Sequence, residues 1–246
     1  MVIPYTDKTQ SLDALIDAVF PSLETNMSDS NYIISRAILS TKNDSVDEIN
    51  DYLIGRFHGE ETIYFSFDEA IDDKNGLYPV EFLNSLSVGG LPPHYLRLKI
   101  GCPIILLRNI DPANGLCNGT RLICKSFQQN VIDAEIAVGQ HAGKRIFLPK
   151  IPLSPSDDDM FPFKMRRKQF PIRLCFAMTI NKAQGQTIQN VGIYLPEPVF
   201  SHGQLYVALS RGISRGNTKV LVKLNDKSNG DDVYTSNVVY KEVLSD

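Results

Sequence analysis

Ala37-Ile38-Leu39-Ser40-Thr41-Lys42-Asn43 decides the fold class. Ala37-Ile38-Leu39 is a short apolar run of the kind that forms a buried strand, Ser40 to Asn43 opens it into a polar turn, and Val46, Ile49, Asn50 and Leu53 then lie along a helix. Strand, polar turn and helix together begin an α/β unit. Upstream, Leu12, Leu15, Ile16 and Val19 recur at helical spacing, with Ser11 placed as the N-cap and Pro21 as the stop. Downstream, Ile63 to Phe67 reads as a second strand and Val80 to Leu86 as a short helix closed by Gly89-Gly90. The α/β pattern returns late in the chain. It runs as a strand from Ile172 to Phe176, a turn and helix around Asn181 to Gln184, a strand from Val191 to Leu195, a helix from Gln204 to Ser210 and a strand from Lys219 to Lys223.

Between these two stretches the character changes. Strand-like runs at Pro103 to Leu107, Arg121 to Phe127, Val131 to Val138 and Arg145 to Leu148 are separated by Asn114-Gly115, Asn118-Gly119, Gln129-Asn130 and Gly143. Short strands joined by such turns read as a small antiparallel barrel or sandwich. The expected architecture is an α/β domain interrupted by an inserted β subdomain.

The 246 residues carry a formal charge of −3, which by itself points to no nucleic-acid or membrane partner. The distribution is uneven. Residues 1 to 95 hold 5 Lys and Arg against 16 Asp and Glu, whereas residues 96 to 173 hold 13 against 6, a net +7 on the expected β insert. Cys102, Cys117, Cys124 and Cys175 form no Cys-x-x-Cys pair and have no His at zinc-finger spacing, so neither a disulfide framework nor structural zinc is expected. No apolar run approaches the ~18 residues of a membrane span, and MVIPYTDKTQ lacks the regions of a signal peptide, so the expected setting is intracellular and reducing.

Two motif-like stretches fail on inspection. Gly139-Gln140-His141-Ala142-Gly143-Lys144-Arg145 has its first glycine one residue too near the Gly-Lys pair, and Arg145 replaces the hydroxyl residue that would hold magnesium. It is read as a hairpin turn. Phe65-Ser66-Phe67-Asp68-Glu69 imitates a strand ending in a metal-holding carboxylate pair but has no phosphate-binding loop before it, and is read as a solvated strand end.

Ala177-Met178-Thr179-Ile180-Asn181-Lys182-Ala183-Gln184-Gly185-Gln186-Thr187, with Gln204-Leu205-Tyr206-Val207-Ala208-Leu209-Ser210-Arg211 further on, resembles motifs V and VI of superfamily 1B helicases. The match is close to the Pif-type DNA helicases, especially those carried by Helitron transposons. Further text of that kind is Ala37 to Asn43 with Val46, Asp47 and Asn50, then Gly90-Leu91-Pro92-Pro93-His94, then Asn114-Gly115-Leu116-Cys117-Asn118-Gly119-Thr120-Arg121. The resemblance covers residues 30 to 224. It implies a second RecA-like domain, of P-loop-NTPase type but without its own P-loop, occupying 30–95 and 171–224. An SH3-like β-barrel would fill 96–170, with an N-terminal helix and linker at 1–29 and a tail at 225–246.

The same resemblance implies roles. Helicases of this kind hold ATP between two RecA-like domains, so the second must bring a cation to the γ-phosphate. Arg211 is the candidate arginine finger, permanently charged and forked. A surface arginine after a helix is the plain alternative. Thr179, Asn181 and Lys182 would face the single-stranded DNA backbone, and Gln184, Gly185 and Thr187 the nucleotide; many family members have His where this chain has Asn181. A strand that ends in a turn and helix also suits phosphate oxygens through its backbone N–H groups. Gln204 either reaches the nucleotide or starts its helix, while Tyr206, Val207 and Leu209 read as packing residues. Thr41 and Asn43 end the strand of the motif IV region, or Asn43 and Asp44 cap the next helix. Lys164, Arg166, Arg167 and Lys168, interleaved with Phe161, Phe163 and Phe170, have the composition of a single-strand contact surface; otherwise the rings are core and the cations solvated. His94, Arg97 and Lys99 are weaker candidates.

No Gly-rich P-loop, magnesium-binding Asp-Glu pair or phosphate-sensing Gln precedes Ala37. The expected protein is therefore the C-terminal part of an ATP-dependent 5′-to-3′ DNA helicase, inactive alone and truncated. Its ATP and Mg²⁺ would be held mainly by a first RecA-like domain. Its partners would be that domain and single-stranded or forked DNA, with no membrane. Its setting would be nuclear, and repair, recombination or telomere maintenance are roles the resemblance implies. The alternative is a non-catalytic DNA- or protein-binding remnant of a transposon helicase.

Overall fold

The computed structural model describes residues 1–5, 7–73, 76–155, 161–223 and 234–240. The first 56 residues form β1 (Val2–Ile3), α1 (Lys8–Val19), α2 (Leu23–Asn26), α3 (Ser30–Ile34), β2 (Arg36–Ser40) and α4 (Asn43–Arg56). Then come β3 (Thr62–Phe65), β4 (Phe67–Ala70), α5 (Val80–Ser85), β5 (Tyr95–Leu98), β6 (Pro103–Leu106), β7 (Arg121–Phe127), β8 (Val131–Ile136), β9 (Arg145–Pro149), β10 (Ile151–Leu153), β11 (Met165–Gln169) and β12 (Ile172–Leu174). The return forms β13 (Ala177–Thr179), a single 3-10 turn (Ile180–Ala183), β14 (Asn190–Leu195), α6 (Gln204–Leu209) and β15 (Thr218–Val222). The chain divides into two compact units, one made of residues 1–56 and 176–246, the other of residues 57–175.

The first unit is a parallel five-stranded sheet in the order β1-β15-β14-β2-β13. Ala37, Ile38, Leu39, Val191 and Ile193 are fully buried, as strands covered on both faces require. Asp7 caps α1, its Oδ1 accepting from the Gln10 N–H at 3.0 Å; Ser11, expected as the cap, is instead buried inside the helix. Leu12, Leu15, Ile16 and Val19 bury the apolar stripe of α1, which packs on β14, β15 and β2. The segment 1–29 is therefore not an appendage to the α/β unit. It supplies the edge strand β1 and a covering helix.

The second unit holds a five-stranded antiparallel sheet, β12-β6-β7-β8-β9, a three-stranded one, β10-β11-β4, and the pair β3-β5. Val131–Ile136 and Arg145–Pro149 form an antiparallel hairpin, so Gly139 to Lys144 is a turn, with Gly139 and Gly143 at positive φ. Three expectations are corrected. Ile63 and its neighbours do not join the parallel sheet, because Thr62–Phe65 pairs antiparallel with Tyr95–Leu98. The segment 57–95 therefore belongs to the second unit and not to the α/β domain. The run expected from Ile172 to Phe176 splits: Ile172–Leu174 pairs with β6 in the second unit, and the parallel-sheet strand starts only at Ala177. Of the expected tail, 234–240 has no helix or strand and the rest lies outside the described residues.

Unit membership also changes the charge. Residues 57 to 175 hold 14 Lys and Arg against 13 Asp and Glu, a net +1, because the acidic strands before Tyr95 fold together with the basic ones after it. The compact unit that contains the expected +7 segment is therefore nearly neutral.

Gly192 sits where β14 meets α1. A Cβ there would lie 2.8 Å from Val19 Cγ2 and 3.1 Å from Ile38 Cγ1, both side chains held in the core. Gly192→Ala is expected to destabilise the chain by about 1–3 kcal/mol through overpacking, read from urea unfolding.

Candidate nucleotide and nucleic-acid site

The carboxyl ends of the parallel strands carry the residues singled out in the sequence. Asn50 of α4 fixes one of them: its Nδ2 donates to the Ala177 carbonyl at 3.1 Å and its Oδ1 accepts from the Ala177 N–H at 2.9 Å. This buried two-way amide bond sets the start of β13 and hence the direction of Thr179 to Thr187. Thr179 is half-buried and Asn181 exposed, so both keep polar atoms at the surface. After β13 the chain makes one 3-10 turn and not the expected helix, so this segment has no macrodipole to offer an anion, and contacts there rest on side chains and single N–H groups. Gln184 and Thr187 are exposed, and Gly185 has φ +78°, the left-handed region that favours glycine.

Arg211 joins the two motif stretches. Its Nε donates to the Val207 carbonyl at 3.0 Å, Nη1 to the carbonyls of Gln186 and Ala183 at 3.1 and 3.5 Å, and Nη2 to Ser210 Oγ at 2.8 Å. The backbone repeats the link, since the Ile188 N–H donates to the Arg211 carbonyl at 3.0 Å. A guanidinium has five N–H donors, and one on Nη2 has no partner among the described residues. Beside it, Tyr206 is 75% exposed, and Leu209 and Ile213 are exposed too. The expectation that Tyr206 and Leu209 are packing residues is wrong: the six-residue α6 buries Gln204 and Ala208 instead.

Gln204 is 2% exposed and its Oε1 accepts from the Phe200 N–H at 3.1 Å, so it shapes the entry to α6. Its Nε2 has no partner among the described residues, and nor does Thr41 Oγ1 at the end of β2. Asn43 opens α4 as its first residue. A hollow of about 340 Å³ lies at the same sheet edge, lined in part by Lys8, Glu48, Tyr194 and Glu197. No sequence motif marks it; of its lining charges Lys8 pairs with Glu48, and Glu197 pairs with Lys42 nearby.

The basic and aromatic run near Phe161 proves largely structural. Arg167 is 1% exposed and forks onto Asp68, with Nε and Nη2 at 2.9 and 2.7 Å from its carboxylate oxygens; the remaining donors meet the carbonyls of Leu83, Leu86 and Pro92. Asp68, expected at a solvated strand end, is thus buried. Arg166 pairs with Glu69, while Phe163 and Phe170 are core. Alternation along β11 explains this, because Met165, Arg167 and Gln169 face inward and Arg166 and Lys168 outward. Lys164 and Lys168 stay exposed. Of the weaker candidates, Lys99 is buried against the Phe57 carbonyl, Arg97 pairs with Glu61, and His94 Nδ1 lies 2.7 Å from Ser66 Oγ.

Known proteins resemble this chain in both sequence and fold. Residues 81–127 match the family "DNA helicase Pif1, 2B domain". The chain is 29% identical over 189 residues to the ATP-dependent DNA helicase PIF1 of Danio rerio, covering 74% of this chain and 27% of that protein. It is 31% identical over 141 residues to the ATP-dependent DNA helicase PIF1 of Homo sapiens, covering 51% of this chain and 19% of that protein. A solved structure of Pif1 helicase from Bacteroides in complex with ADP-AlF3 and ssDNA superposes with a TM-score of 0.60 at 21% identity, covering 97% of this chain and 49% of that one. The fold is mixed α/β with a parallel sheet, and it resembles the RecA-like fold of that structure. The chain is similar in sequence to the Pif1-type DNA helicases, and it spans 27% or less of the two curated relatives named.

Arg167→Met leaves the Asp68 carboxylate buried without its partner. The expected result is a loss of about 3–5 kcal/mol in denaturant unfolding.

Proposed function

We propose that this chain is the second-domain part of an ATP-dependent 5′-to-3′ DNA helicase of the transposon-borne, Helitron-like kind, acting in the nucleus on single-stranded or forked DNA. The observation that carries the reading is Arg211, one side chain that fastens the Gln204–Arg211 stretch to the Ala183–Gln186 turn while one of its N–H groups has no partner among the described residues. Changes at the nucleotide would reach Thr179, Asn181 and Lys182 through that turn. Arg211 supplies the cation to the γ-phosphate, and Gln184, Gly185, Thr187 and the Gln204 Nε2, which has no partner among the described residues, complete the nucleotide side. Thr179, Asn181 and Lys182, with Lys168, Lys164 and Arg166 of the second unit, contact the DNA backbone.

ATP fits this donor set because guanidinium, amide and hydroxyl groups donate to phosphate oxygens. The same set does not suit a divalent cation, so Mg²⁺ is assigned to a first RecA-like domain, as are the phosphate cradle and the activation of water. Exposed Tyr206, Leu209 and Ile213 form the apolar surface such a domain would cover. The SH3-like character of the antiparallel sheet belongs to this same reading.

A second reading, a non-catalytic remnant that binds DNA or protein, is favoured by the four hydrogen bonds already holding the Arg211 guanidinium. The two readings part in one experiment. The chain alone is expected to show no ATP turnover. Adding a first RecA-like domain from a Pif1-type relative should restore DNA-stimulated hydrolysis, and Arg211→Lys should lower it by about 10³-fold or more, as for other arginine fingers. No hydrolysis in the reconstituted mixture, with the two proteins shown to associate, favours the remnant.

A further inference from the structure

Three aromatic rings of the second unit stand in solvent, two of them against each other. Phe65, Phe67 and Tyr95 are 56%, 65% and 45% exposed. Phe65 and Tyr95 are cross-strand partners on β3 and β5, with ring centroids 5.5 Å apart and planes at 57°, and the His94 ring lies 5.6 Å from Phe65. Next to Phe65 in sequence, Tyr64 points inward against Phe170 and Phe127. The fold therefore uses alternate residues of one segment for its core and leaves the others as flat apolar faces that stabilise nothing inside the unit.

Two cations flank these rings. Lys150 Nζ donates to the Phe65 carbonyl at 3.0 Å, and Lys168 is the cross-strand partner of Phe67. Partial burial and then the positive field of Lys168 push the Lys150 ammonium below its ordinary range, so the two charges sense each other. Neither has a carboxylate partner among the described residues, whereas Arg97, Arg166 and Arg167 nearby are neutralised by Glu61, Glu69 and Asp68. In a unit of net +1, this pair of cations beside exposed rings, without a carboxylate partner among the described residues, is a local feature with its own chemistry. Adjacent ammonium groups attract a phosphate, and exposed rings accept bases of any sequence.

We infer that Phe65, Phe67 and Tyr95, with Lys150 and Lys168, form a stacking surface for about two or three nucleotides of a single strand. The bases lie on the rings, and a phosphate is held by the two lysines. The inference rests on the single-strand binding proposed above and adds residues that reading does not contain. A protein partner covering the same rings would need an acidic rim opposite the lysines and would show no dependence on bases.

The test uses the full chain and fluorescence anisotropy with two labelled strands of equal length, an oligothymidylate and an abasic deoxyribose-phosphate strand. Combining Phe65→Ala with Tyr95→Ala, both at exposed positions and checked by thermal melting, is expected to weaken oligothymidylate binding by roughly 5- to 100-fold and leave the abasic strand unaffected. Lys168→Glu is expected to weaken both strands and lower the salt slope by about one. Unchanged oligothymidylate affinity in the ring variant, with Thr179→Ala and Lys182→Ala together still weakening it, overturns this surface and leaves the proposed function standing. Equal loss on both strands overturns the stacking role. A wild-type chain that binds neither strand overturns both proposals.

Discussion

Asn50 holds the α/β unit to its purpose. The chain leaves this unit after Arg56 and returns at Phe176, more than a hundred residues later, so the return point must be set by something that recognises backbone and not sequence. A carboxamide does this because it is the side-chain copy of a peptide group, donating and accepting at once. By pairing with both polar atoms of Ala177 it aligns β13 beside β2, and two residues further on that strand releases Thr179 into the polar turn. Truncating Asn50 would leave a buried N–H and a buried carbonyl unmatched at once, which is why an amide sits on the core face of an otherwise apolar helix stripe.

The second unit is organised by a different constraint, the need to neutralise a buried arginine. Arg167 and Asp68 are 99 residues apart, and their fork is closed by three backbone carbonyls from the segment around α5. Such a pair is weak in net stabilisation but costly to break, so it specifies register more than it adds energy. It fixes β4 against β11, and that register places Lys168 opposite Phe67 and aims both outward. The buried ion pair and the exposed cation–aromatic surface are two faces of one strand pairing.

Local order was readable in the sequence, and long-range pairing was not. The apolar run at Ala37, the spacing along α4 and α1 and the Gly-rich turn before Arg145 report on neighbours within a few residues, and each appears where its pattern puts it. Whether Thr62–Phe65 joins a parallel sheet or meets Tyr95–Leu98 depends on residues some 30 positions away, and nothing in a short window encodes that choice. The same limit misread the charge. A segment from 96 to 173 is basic as text, but folding brings Glu61, Asp68 and Glu69 to its arginines. Composition also cannot separate a ring that fills a core from one that meets solvent. Phe163 and Phe170 are buried while Phe65 and Phe67 are not, and the strand phase that decides it is set by partners elsewhere in the chain.

At the candidate site the residue types were legible and their geometry was not. Thr179, Asn181, Gln184 and Arg211 stand out by kind and order, yet no spacing rule announces that Arg211 turns back onto the carbonyls of a turn some 25 residues before it. That contact makes the two stretches one mechanical object. Nη1 reaches Gln186 and Ala183, and from Ala183 the chain runs back through one tight 3-10 turn to Thr179. An arginine built this way holds the turn in shape through its own hydrogen bonds. The exposed Tyr206, Leu209 and Ile213 lie close in sequence to this guanidinium, and a cation under a covered apolar surface acts more strongly on other charges than one in open water.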